Sequence, residues 1–367
     1  METAPRLIAS EIYRKSRYGA KHPLSIPRVS VALDLIRALG WLDESRYIDG
    51  PVATSQQLIR FHLPEYVDAL MRAERDGLSE AERDRWNIGR NGNPIYPEVF
   101  RRPATAAGSS ILAAELVAAG GTVYSPAGGT HHGRQDRASG FCFLNDPVLG
   151  ILKLLDLGIE PVAYVDLDAH HGDGVEAAFQ NDPRVTTISV HEENRWPRTG
   201  KADHGLGPAV LNLPVPAGFN DDEFLFVLES AILPTVESVE PAAIVIQGGV
   251  DGLADDPMSK LALSNTIYWH AVGQLLGLAP RRIVLGGGGY NPYAVARAWA
   301  GIWAVIDGHD VPDRLPPEAS EVLTAIDWRH SLARSAPERW FSTLADSPNA
   351  GPIRDEVRDV VRRAMRR

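Results

Sequence analysis

Apolar positions recur at helical spacing through the first third of the chain and then give way to short unbroken runs. Ser30–Leu39 carries a helical stripe that stops at Gly40. Pro64 opens a second helix through Glu74, at a first-turn position where its missing N–H costs nothing. Ala104–Ala119 reads as a third helix, ended by Gly120-Gly121. From there, runs at Thr122–Ser125, Val162–Val165, Val185–Val190, Ala242–Gln247 and Ile283–Leu285 alternate with helical patterns at Pro147–Leu157, Asp222–Val239 and Ser264–Leu276. Continuous Val/Ile/Leu runs separated by helices indicate parallel strands buried on both faces. The expectation is a single doubly wound α/β domain, its central parallel sheet flanked by helices. Residues 1–310 form that unit. Residues 311–367 are a C-terminal extension, expected to be helical and packed on the same domain, with Ile353–Arg367 as a closing helix.

Composition narrows the class. The chain has 367 residues, 44% of them hydrophobic, enough for a full core. Its net charge of −10 repels polyanions, so neither nucleic acid nor an anionic membrane is expected as the main ligand. A single cysteine, Cys142, excludes an intrachain disulfide and a thiolate metal cluster. The N-terminus is charged and lacks an apolar leader segment, and no apolar run reaches membrane-spanning length. The expected compartment is the cytoplasm. Oligomeric state is not legible.

Four polar clusters directly follow four of the strands. They are Gly128–Gly133 with His131 and His132, Asp166–Gly174, Gly248–Asp251, and Gly286–Tyr290. Ligands bind beyond the carboxyl ends of strands in an open parallel sheet, so these clusters should converge on one edge. Asp168 and His170 stand two apart, and Asp251 arrives from a distant strand. Two carboxylates and an imidazole make a three-ligand divalent-metal site with open positions for water and substrate. A D-x-H alone would be only a turn feature; the companion clusters favour the metal site. His131 and His132 offer a proton acceptor and a donor near neutral pH, with Asp166 and Asp173 available to orient them. The glycine run lacks a dinucleotide or P-loop fingerprint and instead suits close backbone approach, placing Tyr290 to donate to an oxyanion.

GTHHG, SGFCFLND (139–146), YVDLDAHHGDG (164–174), QGGVDGLADDPM (247–258) and GGGGYN (286–291) together resemble the histone deacetylase family, in the family's order, over about residues 8 to 305. KHPLSIPR at 21–28 is similar to the bacterial AcuC-type acetoin-utilisation deacetylases, of the arginase/deacetylase-like fold. The resemblance implies Zn2+ held by Asp168, His170 and Asp251, with Fe2+ tolerated by the same ligands. It implies His132 with Asp173 as general base and then acid, His131 with Asp166 in support, and Tyr290 polarising the acetyl carbonyl. Phe141 and Trp196 would face each other across an acyl-lysine tunnel, Trp196 standing where the family usually has Phe. Gly140, Met258 and Gly288 would line it, and Arg28 would mark an internal acetate channel. A structural K+ site would draw on Asp166, Asp168, His170, Ser189 and Val190. One departure stands out. The loop Ile88–Pro94 lacks the acidic residue with which histone-type members grip a peptide backbone.

The function expected is zinc-dependent hydrolysis of an N-acetyl amide, acetyl-lysine in a protein or a small acetylated amine. The alternative is a small-molecule deacetylase acting on acetylpolyamines or other acylated metabolites. A binuclear arginase-type enzyme would need more Asp and His ligands than the sequence places. A non-catalytic acyl-lysine reader would have no use for an oxyanion donor beside a proton shuttle.

Overall fold

The computed structural model of the protein describes residues 4–202 and 209–366. Its strands are β1 (Arg6–Ala9), β2 (Tyr47–Asp49), β3 (Gly121–Ser125), β4 (Val162–Asp166), β5 (Val185–Glu192), β6 (Val210–Val215), β7 (Ala243–Gln247) and β8 (Arg281–Leu285). They form one sheet in the order β2-β1-β3-β8-β7-β4-β5-β6. Every pairing is parallel. The chain builds outward from β1 and β3, jumps to β4, and returns at the end to insert β7 and β8 between the two halves. The four strands that carry polar clusters are therefore the four central neighbours β3-β8-β7-β4. Their carboxyl ends share one edge.

The β3, β4, β5 and β7 runs are buried throughout, as strands covered on both faces must be. The helices fall close to their expected places, at Val29–Ala38, Pro64–Arg75, Arg101–Leu116, Asp146–Asp156 and Asn265–Leu276. Asp222–Val239 is more complex than one regular helix. Asp221–Val227 and Leu233–Val239 are joined by a π turn at Leu228–Ile232, just before Pro234. Proline lacks the N–H that an unbroken ladder needs there.

The hydrophobic pattern misses β1, β2 and β6, each six residues or shorter. It also misses the helix Pro292–Asp307, whose residues are buried all round from Pro292 to Ala304. A helix without a polar face has no amphipathic period to detect. Beyond it, Pro317–Thr324 and Asp355–Ala364 are helical, while Arg367 lies outside the described residues. Leu323, Trp340, Val357, Val360 and Val361 of this extension belong to the main core. No helix among the described residues is long and apolar enough to cross a membrane.

Candidate active site and metal centre

The loop after β3 is fixed from below by two buried residues of the SGFCFLND segment. Asp146 accepts from the Gly129 N–H at 3.1 Å, the Thr130 N–H at 2.8 Å and the Ser110 hydroxyl at 2.6 Å. Asn145 Nδ2 donates to the carbonyls of His131 (3.2 Å) and Gly133 (2.9 Å). A loop pinned on both strands of the turn can present two consecutive side chains to one point. His131 Nδ1 donates to Asp166 Oδ2, and His132 Nδ1 to Asp173 Oδ1, each at 2.7 Å. With both Nδ1 atoms spent as donors, the two Nε2 atoms meet at 2.9 Å. One proton must lie between them.

Electrostatics assigns that proton to His131. Burial works against a charge there, but Asp166 and Asp168 outweigh it and raise His131 to about 9. His132 is depressed by burial and then by the His131 charge, down to about 3. His131 is thus the imidazolium donor and His132 the neutral acceptor.

Asp168, His170 and Asp251 bring ligand atoms within 4.8 Å of one another, all buried. The alternation of a strand is not what aligns the first two, because β4 ends at Asp166. A turn does it: the His170 N–H donates to Asp168 Oδ1 at 3.0 Å. His170 Nδ1 lies 2.8 Å from Asp251 Oδ2 and 3.2 Å from Asp168 Oδ1. Burial opposes a charge on His170, yet these carboxylates hold its affinity for a proton well above the ordinary range. Two buried carboxylates converging on one imidazole nitrogen call for positive charge at that point. An imidazole and two hard oxygen donors suit a divalent cation, and they leave open the positions a catalytic site requires. The residues fit the metal.

The surroundings are built for those carboxylates. Asp168 Oδ2 accepts from the Gly288 N–H (2.7 Å) and Gln247 Nε2 (3.0 Å), and Asp251 Oδ1 from the Ala169 N–H (2.8 Å). A Cβ on Gly288 would run into the carboxylates of both Asp251 and Asp168, so only glycine lets this strand end approach. Tyr290 is anchored through its N–H, which donates to Asp256 Oδ2 at 2.6 Å. Burial, then Asp251 and Asp168, keep its phenol protonated and able to donate.

The remaining expected positions surround this centre. Phe141 packs edge-on to Tyr290 (6.2 Å between rings) and to His22 (4.5 Å). Trp196 lies against His132 (4.6 Å) and His170 (6.5 Å) and is 46% exposed. Gly140 sits beneath the indole, where a Cβ would strike Trp196 and His132. Met258 lines an outer groove at the mouth beside Tyr290. Arg28 lies inward, with Nη1 donating to the Gly287 carbonyl at 2.6 Å. Asp166 is in register with Ser189 across β4 and β5, with Val190 next along β5.

The structure adds partners that the motifs do not reveal. Tyr164 donates to Asp166 Oδ2 at 2.7 Å, and Gln247 supports Asp168. Arg134 pairs with Asp173 through its carboxylate and its carbonyl. Gln247 and Tyr164 each stand at the head of a quoted motif, which was the available signal.

Comparison with known proteins agrees with this geometry. Residues 22–306 match the histone deacetylase domain. The acetoin utilization protein AcuC of Bacillus subtilis is 30% identical over 95% of this chain and 92% of its own. Histone deacetylase 8 of Xenopus tropicalis is 34% identical over 79% of this chain and 80% of its own. Identity alone does not separate the two; the AcuC match simply extends further. The crystal structure of a histone deacetylase homologue from Aquifex aeolicus superimposes with a TM-score of 0.94 at 38% identity, over 99% of this chain and 100% of that one. Members of this group are hydrolases of amide bonds, and this chain belongs to the histone deacetylase family.

Proposed function

We propose that the protein is a zinc-dependent deacetylase that hydrolyses an N-acetyl amide of the acetyl-lysine type to acetate and a free amine. One observation carries this reading. Asp168 and His170 of the metal triad, two carboxylate-backed imidazoles and a protonated phenol line one cavity, with Asp251 packed directly against His170. Asp168, His170 and Asp251 would hold a Zn2+ ion, or Fe2+ on the same donors, which when bound would supply Lewis acidity to the acyl oxygen and acidify a water. His132 Nε2 takes the proton of the attacking water and delivers it to the amine nitrogen as the C–N bond breaks. Asp173 holds the ring in the tautomer that keeps the lone pair on Nε2 and stabilises its charged form. His131, backed by Asp166, places a fixed positive charge beside the developing negative one. Tyr290 donates to the oxyanion as the carbonyl carbon becomes tetrahedral.

Phe141, Gly140 and Trp196 flank the acyl-amine stem, Met258 sits at the mouth, Gly288 closes the wall behind the reacting carbonyl, and Arg28 meets the released acetate. Asp166, Asp168, His170, Ser189 and Val190 are the residues that would hold a structural K+ ion, whose charge would steady the turn that aims the metal ligands.

A second reading is a small-molecule deacetylase. It is favoured by the mouth loop 88–94, which offers no carboxylate to a peptide backbone. The deciding experiment is acetate release from acetyl-lysine peptides, acetylpolyamines and other acetylated metabolites. Turnover confined to peptides or to small amines assigns the class. No release from any acetyl amide would contradict both readings.

A further inference from the structure

Behind the metal triad the cavity continues inward to a chamber walled by Tyr13, Tyr18, Arg28 and Arg102. The resemblance accounts for Arg28 alone. Arg102 stands in the first turn of the helix Arg101–Leu116, where the helix dipole disfavours a cation. Its neighbour Arg101 is paired with Glu74; Arg102 is buried and pairs with no carboxylate among the described residues. It is held instead by the Ser16 carbonyl, 2.7 Å from Nη1, and by the rings of Tyr13 and Tyr18, 5.2 and 5.1 Å from its guanidinium. Arg28 likewise has carbonyl partners and the Trp299 ring at 5.3 Å, and its Nε is buried without a partner. Among the described residues, the one acid in the cavity wall is Asp168, already committed to the metal triad.

Two buried guanidinium groups facing one chamber without a counter-charge are costly unless a ligand supplies an anion. The cavity measures about 60 Å3. That figure covers the whole cavity, from His132 and Tyr290 inward to the two arginines. A fatty chain does not fit. What the two arginines call for is a short acyl group ending in a carboxylate.

We propose that the chamber receives an acyl group ending in a carboxylate, of malonyl or succinyl type, with Arg102 as the residue that selects it. The inference rests on the amide hydrolysis proposed above and names a substrate class for the same site. Water adds to the acyl carbon and the C–N bond breaks. The amine leaves with the proton the water gave up, and the products are the free ammonium and a dicarboxylate. No other reactant is consumed.

The test compares kcat/KM of the metal-loaded enzyme on one amine carrying acetyl, succinyl or succinamoyl groups, the last being the neutral near-isostere of succinyl. Charge-assisted hydrogen bonds to two guanidinium groups predict a succinyl preference over succinamoyl of roughly ten- to a hundredfold, lost in Arg102→Met. Succinate binding to the wild-type protein, followed by calorimetry against neutral succinamide, should show the same preference for the anion and does not depend on the variant folding. Acetyl turnover with succinyl no better than succinamoyl would overturn this inference and leave the hydrolase reading intact. If no acyl amide is turned over, the hydrolase reading fails, and equal binding of succinate and neutral succinamide would overturn the chamber's role as well.

Discussion

His131 Nε2 and His132 Nε2 lie 2.9 Å apart, each ring tied to its own aspartate through Nδ1. The pair is one proton-handling unit, with His131 the donor and His132 the acceptor. Residues that act as a unit lose function non-additively. His132→Ala should lower kcat/KM by ~10²–10⁴. The double variant His131→Ala/His132→Ala should cost scarcely more than His132→Ala alone. Steady-state kinetics on variants with wild-type circular dichroism reads this directly. Fully multiplied losses would show that the two imidazoles work independently.

The mouth loop supports a prediction about substrate length. Arg90 is occupied by Asp84, 2.7 Å from its Nε, and by Glu80, and the Gly92 carbonyl accepts from His22 Nε2 at 3.0 Å. The loop's own cation is thus paired, and residues 88–94 offer a peptide's N–H groups no acid. A single acetyl-lysine derivative should be hydrolysed within about tenfold of a peptide containing it, since each charge-assisted backbone bond forgone is worth ~1.5–3 kcal/mol. A much larger peptide preference in kcat/KM would mean that another group grips the backbone.

His62 gives a pH dependence of stability. Its Nε2 accepts from the Asn145 N–H at 3.0 Å, so Nδ1 must carry the ring proton, facing the Arg134 carbonyl at 3.0 Å. Protonating Nε2 would set two donors against each other in a buried site. Burial lowers His62 from 6.5 to about 4. The unfolded chain therefore binds more protons than the folded one between about pH 6.5 and 4, and stability falls as pH drops through that window. The full effect is about 3 kcal/mol, and it vanishes above the window. Denaturant unfolding of His62→Gln should show a shallower pH slope there, though lower stability at neutral pH. Parallel slopes for the two proteins would rule this out.

Much of this site is readable before folding because its chemistry is concentrated at strand ends. Asp168, His170, Asp251, His131, His132 and Tyr290 each follow an apolar run within a few residues, so the topology that gathers β3, β8, β7 and β4 gathers them too. The strands themselves announce β4 and β7 because burial on both faces needs unbroken Val and Ile. What the sequence hides is whatever depends on distant partners. Gln247 reaches Asp168 across 79 positions, and Asp146 accepts from Ser110 across 36. Arg102, next to an ordinary surface arginine, reads like its neighbour until the fold buries it. Pro292–Asp307 is silent for the opposite reason, being too apolar to show a face.

The central claim is that Asp168, His170 and Asp251 hold one catalytic divalent ion. The most direct measurement is metal content by mass spectrometry alongside acetate release, before and after chelation, for wild type and Asp251→Ala. The wild-type protein should carry about one Zn2+ or Fe2+ per chain, lose turnover on chelation and regain it on readdition, while Asp251→Ala should neither retain the ion nor turn over. Full turnover of the exhaustively chelated wild-type protein, with no ion detected, would contradict the account.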